Sequence, residues 1–143
     1  MKNLSLFLLL AAFSLGAKAQ TVQALADSSF AHKDYVKAYD YYSEALKLNP
    51  NDLKDLRRAG FCLMNCKGQE LNATRYFSDA LKLKPHDAIS NYYLGVIYMD
   101  EAKQVNDSGE KAHFKALAQT HLATASTYGS EEAKAAIKDL NGI

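Results

Sequence analysis

Tyr41–Asp52 reads YYSEALKLNPND, and Tyr76–Asp87 reads YFSDALKLKPHD. Eight of the twelve positions are identical, Glu44 and Asp79 both keep a carboxylate, and the copies start 35 residues apart. Extended backwards, the copies set Ala38, Tyr42, Ala45 and Pro50 opposite Ala73, Phe77, Ala80 and Pro85. Offsets of four and three place these residues on one helical face. Alanine lets a neighbouring helix come close, the aromatic ring fills the space between helices, and proline cannot continue the helix. Each copy therefore predicts an amphipathic helix with a built-in stop, and a period of this length predicts stacked helical units.

A second helix is predicted before each copy. Val22, Leu25, Ala26 and Phe30 precede the first, and Leu56, Ala59, Gly60 and Leu63 precede the second, again at helical spacing. The breaks His32-Lys33-Asp34 and Lys67-Gly68-Gln69 are short enough to force antiparallel neighbours. Asp52 and Asp87, just after the prolines, are suited to cap the next helix.

A third unit is longer. Asn91, Leu94, Gly95 and Tyr98 repeat the first-helix spacing, and Ala118, Leu122 and Ala125 the second, with Ser130 where proline would stand. The added residues are expected to lengthen both helices around a turn at Asn106-Asp107-Ser108-Gly109. From Ser130-Glu131-Glu132 a last helix carries Ala133, Ala136, Ile137 and Leu140 to Asn141-Gly142. A terminal repeat needs such a helix to cover its open flank.

With these motifs in place the chain resembles the tetratricopeptide repeat (TPR) family, whose signature is a 34-residue helix pair. LADSSFAHKDYVKAYDYYSEALKLNP follows the pattern with Leu25 and Ala26 at its Leu-Gly positions, and NYYLGVIY supplies Leu94, Gly95 and Tyr98. Val22, Leu56 and Asn91 stand where the family has tryptophan, and the second repeat carries one extra residue in its turn. The resemblance implies an all-α fold, a right-handed α-solenoid of antiparallel helix pairs. Its repeats are expected at about 20–52, 53–87 and 88–129, with a capping helix at about 130–141.

Before the repeats, Lys2 leads into an apolar run from Leu4 to Leu15, interrupted by Ser5 and Ser14, and then Ala17-Lys18-Ala19. The run is about half of the ~20 residues a membrane span needs, and the small residues suit a peptidase pocket. Residues 1–19 are therefore read as a signal peptide, giving an exported protein, periplasmic or secreted, that starts at Gln20. The remaining 124 residues suffice for one domain and carry fifteen Lys and Arg against sixteen Asp and Glu. Such balance leaves no electrostatic footprint for nucleic acid or anionic lipid. Cys62 and Cys66, the only cysteines, are expected as buried free thiols or as an intrahelical disulfide.

What the family resemblance implies about function is a concave groove lined by the first helices, holding a peptide or a partner's helix. Carried over position by position, the groove takes Gln23, Asp27 and Phe30 from repeat one. It takes Lys54, Arg57, Phe61, Met64 and Asn65 from repeat two, and Ile89, Tyr92, Val96, Met99 and Asp100 from repeat three. The aromatics, Met and Arg in this set are residue types enriched at interfaces. Lys54 and Arg57, a turn apart, are expected to receive one acidic group of the ligand among bulky apolar anchors. The family's two-carboxylate clamp is absent, because its positions read Gln23, Asp27, Ile89 and Tyr93.

No cofactor and no metal is expected. His113 and His121, eight apart on one helix, stand ~12 Å from each other. The two cysteines lack the second ligand pair that zinc requires. His32 and His86 fall in turns, and no phosphate loop, serine elbow or paired-carboxylate motif occurs. The expectation is an interaction module or adaptor and not an enzyme. The alternatives are a self-associating scaffold subunit, built on the uncovered flank of the first repeat, and an enzyme accessory or an enzyme.

Overall fold

Carboxylates punctuate the chain. Asp34, Asp52, Asp87 and Asp107 each accept a hydrogen bond from the backbone N–H three residues on, and Ser130 does the same for the last helix. Each such cap satisfies a donor that the helix cannot, an effect of about 1 kcal/mol. The computed structural model describes residue 18 and residues 20–142; the leader read over 1–19 thus lies, apart from Lys18, outside the described residues. Among the described residues are seven helices and no strand. They are α1 (20–31), α2 (Tyr35–Leu48), α3 (Leu53–Met64), α4 (Glu70–Leu83), α5 (Ala88–Gln104), α6 (Ser108–Thr127) and α7 (Glu131–Leu140). None of those described is long and apolar enough to cross a membrane.

Consecutive helices pack on one another, α1 on α2 through Ala26, Ala38 and Tyr42, while α3 also touches α5 and α5 touches α7, the arrangement of an α-solenoid. Three cores follow one another along the stack. The first joins Ala26, Ala38, Tyr42 and Cys62, the second Leu63, Ala73, Phe77 and Leu94, and the third Met99, Ala118, Leu122 and Leu140. Tyr42, Phe77 and Leu122 are equivalents in the three units, and all are fully buried.

The small residue facing two of them, Phe77 and Leu122, is dictated by distance. A Cβ on Gly60 would meet the Phe77 ring at 2.8 Å, and one on Gly95 would stand 2.5 Å from Cγ of Leu122. Only glycine fits there, despite its cost of about 1 kcal/mol in a helix interior.

The third unit is lengthened, with 17 residues in α5 and 20 in α6 against 12 to 14 in the three helices before them. Its turn is shorter than the four residues expected. Ser108 and Gly109 are already helical, because Asp107 caps α6. The two cysteines are free: Cys62 is buried, where desolvation pushes its thiol up to about 12, and Cys66 lies beyond the end of α3.

Asn91 is buried and polar, so its bonds must be accounted for. Its Nδ2 donates to the carbonyls of Asp87 (3.0 Å) and Pro85 (3.2 Å), leaving Oδ1 to face Nδ1 of His121 at 2.9 Å. An amide oxygen only accepts, so the proton sits on Nδ1 of His121. This histidine ties α6 to the head of α5, and burial lowers its pKa.

Candidate functional site

The solenoid brings the first helices of the three pairs side by side, and their side chains form a row of rings. Phe30 near the end of α1 lies 5.8 Å from Tyr35 and 5.5 Å from Phe61 of α3. Phe61 lies 5.5 Å from Tyr93 of α5, which in turn lies 5.2 Å from Tyr92. Tilted and edge-on contacts at these separations suit the ring quadrupole. The rings are only partly buried, so they line a surface without forming a sealed core.

A depression of about 430 Å³ opens over this row, lined by Phe30, Lys54, Arg57, Arg58, Phe61, Ile89 and Tyr93. A second, of about 460 Å³, continues from Ile89 and Tyr93 over Tyr92 to Gly129, Ser130 and Glu132. Stacked rings of His86 and Tyr128, 4.4 Å apart, join the turn before α5 to the end of α6 beside it.

The charges on this surface are mostly committed. Lys54 Nζ lies 2.7 Å from Oδ2 of Asp27, whose Oδ1 accepts from the Tyr42 hydroxyl at 2.6 Å. Partial burial would raise the Asp27 carboxyl, but the bonds from Lys54 and Tyr42 outweigh it and hold the pKa below the usual range. Arg57 Nε donates to Oδ2 of Asp87 at 2.9 Å, and its Nη2 pairs with Oδ1. Burial again works against the Asp87 carboxylate, and the Arg57 and Ser90 hydrogen bonds prevail and lower its pKa. Arg58 is different. Its guanidinium stacks over Phe30, 4.0 Å from the ring centre, and no carboxylate pairs with it among the described residues.

Of the thirteen residues expected to line the groove, Phe30, Lys54, Arg57, Phe61 and Ile89 meet in the first depression and Tyr92 in the second, while Gln23 donates to Asp27 one turn on along α1. Asp27 lies beside them, tied to Lys54. Met64 and Asp100 instead share a separate depression with the turn before α4. Asn65 is spent at the end of α3, where its side chain donates to the Phe61 carbonyl. Val96 is half-buried and lines neither depression of the row. Met99 must be corrected: it is 7% exposed, packed in the third core with Leu122 and Leu140, because α6 and α7 close over that side of α5. Arg57 is corrected in role, since Asp87 occupies the guanidinium that a ligand carboxylate was expected to meet.

Sequence reading missed Arg58, Tyr93, Tyr35 and Glu132. Arg58 is four residues from Lys54 and three from Phe61, and Tyr93 is four from Ile89, so the same helical spacing could have included both. Glu132 carries no such signal, for it arrives from α7. The backbone N–H of Glu132 and the Ser130 hydroxyl hold its carboxyl below the ordinary range, and burial first, then this carboxylate, push the Tyr92 phenol up. Among the described residues no group of three His, Cys, Asp or Glu is placed to hold a metal.

Residues 19–52 match the family profile described as Tetratricopeptide repeat. Among solved structures, the chain is similar to a protein from Bacteroides ovatus ATCC 8483 to which a protein-binding role is ascribed. The two share 22% identity over 85% of this chain and 71% of that one, with a TM-score of 0.65. No curated protein matches the chain in sequence.

Proposed function

We propose that this chain, a solenoid of tetratricopeptide-repeat helix pairs, is an exported interaction module that holds a segment of a partner protein against the ring row of α1, α3 and α5. The observation that carries this reading is the convergence of Phe30, Phe61, Ile89 and Tyr93 from three helices on one open depression beside Arg58. Isolated exposed apolar residues are ordinary, but a joined set of half-buried rings with a stacked arginine has the composition of an interface centre. The leader composition of residues 1–19 supports delivery to the periplasm or beyond.

The role is non-catalytic in this reading. His121, the histidine nearest the apolar stripe, spends Nδ1 on Asn91 and stacks on Tyr98, so it serves packing. The test is affinity capture from the envelope fraction of the host. A partner retained by the protein and by the outward-facing variant Lys82→Glu, but lost by Phe61→Ala and Tyr92→Ala with helicity intact, is the expected result. Retention by both ring variants would remove the ring row as the binding surface.

A further inference from the structure

Two ionic side chains on the ring row lack an ion-pair partner among the described residues, and they stand at its opposite ends. Arg58 lies over Phe30 in the first depression, whereas its neighbours Lys54 and Arg57 are neutralised by Asp27 and Asp87. Glu132 borders the second depression, exposed, with the Ser130 hydroxyl and its own backbone N–H but no cation on its carboxylate, while adjacent Glu131 pairs with Lys134. Ile89 and Tyr93 belong to both depressions, so the apolar floor runs unbroken from one charge to the other. From α3 past α5 to α7 is two helix spacings, about 18 Å. That is the length of about six residues of extended chain.

We propose that the row is a bipolar clasp. It takes an extended partner segment whose apolar side chains lie over Tyr93 and Ile89, with a carboxylate side chain at the Arg58 end and an ammonium or guanidinium at the Glu132 end. The inference rests on the groove reading above and adds to it the charge order of the partner. A uniformly acidic segment is repelled at Glu132 and a uniformly basic one at Arg58, so the pair acts by rejecting wrong partners more than by adding affinity. Exposed charges act weakly one at a time, and reversing one exchanges an attraction for a repulsion.

The probe is a displayed library of random ten-residue peptides, selected on the protein and on Arg58→Glu and Glu132→Lys. The unaltered protein is expected to enrich apolar, aromatic-containing peptides with an acid and a base about six residues apart. Arg58→Glu should enrich peptides with a base at both places, and Glu132→Lys peptides with an acid at both. The best bipolar peptide should bind either variant about tenfold more weakly at low salt, a gap that narrows in 0.5 M salt. Circular dichroism verifies the folds. Should Arg58→Glu fail to fold, Arg58→Gln must abolish the preference for the acid, or the proposal falls. Enrichment without a charge pattern, or the same pattern on all proteins, overturns the bipolar clasp and leaves the ring row as a binding surface. Enrichment of nothing above the bare support overturns both.

Discussion

Arg57 of α3 grips both carboxylate oxygens of Asp87, the residue that caps α5, so one ion pair fastens the second repeat to the third. Asp87 is 2% exposed and also binds the N–H and hydroxyl of Ser90. Asp87→Ala should cost about 3 kcal/mol, since it removes a cap and leaves a half-buried guanidinium without its anion. Arg57→Glu should be as damaging, and for the same reason it is a poor probe of ligand binding. Chemical denaturation of both variants, against Lys47→Ala at within about 0.5 kcal/mol, is the measurement.

Gly95→Ala is expected to destabilise by about 1–3 kcal/mol, although alanine favours the helix. Its Cβ would lie 2.5 Å from Leu122 Cγ and 3.2 Å from the Leu122 backbone nitrogen, so α5 and α6 must separate. Gly60→Ala should cost less, because only the Phe77 ring stands in the way. Equal or raised stability of Gly95→Ala in a denaturant titration would contradict this packing.

Stability should fall with acid in two stages. Burial lowers the folded pKa of His121 from 6.5, so the folded state disfavours the proton that the unfolded chain accepts. Its contribution is whole above pH 6.5 and declines as the pH falls through the lower folded value. Asp87 and Asp27 are also lowered, from 3.8, and their contributions are whole above that value and lost as the pH falls through the folded ones. His121→Gln should erase the first stage and keep the second. Thermal melts from pH 8 to pH 3 distinguish them.

Met99 and Tyr92, both on the stripe that helical spacing assigns to the groove, should behave differently. Met99→Ala empties part of the third core and should cost about 2–4 kcal/mol of stability. Tyr92→Ala, at the open surface, should weaken partner binding by about 2 kcal/mol with a smaller loss of stability. Calorimetric titration of the captured partner paired with unfolding curves separates the two effects.

Export should release a chain beginning at Gln20. Intact mass of the secreted product tests it, and a product retaining the Leu4–Leu15 segment would mean an uncleaved anchor.

The helices, the Asp52 and Asp87 caps and the order of stacking were legible in the sequence, whereas the caps at Asp34 and Asp107 were read only as parts of turns. Asp52 and Asp87 announce the helices they cap, and the small-to-large spacing of Ala38 to Tyr42 and Ala73 to Phe77 announces the contact face. Which side chains remain free for a partner was not legible, since that depends on groups far away in the chain. Arg57 lies 30 residues from the Asp87 that claims it, and Arg58, one position on, points over Phe30 instead. Met99 has the composition of an interface residue, yet α6 and α7 bury it. Helical spacing tells which residues share a stripe, but the stripe is wide. The rotation of each helix against its neighbours, set by how Gly95 seats Leu122 and Gly60 seats Phe77, decides which edge of it is core and which meets solvent.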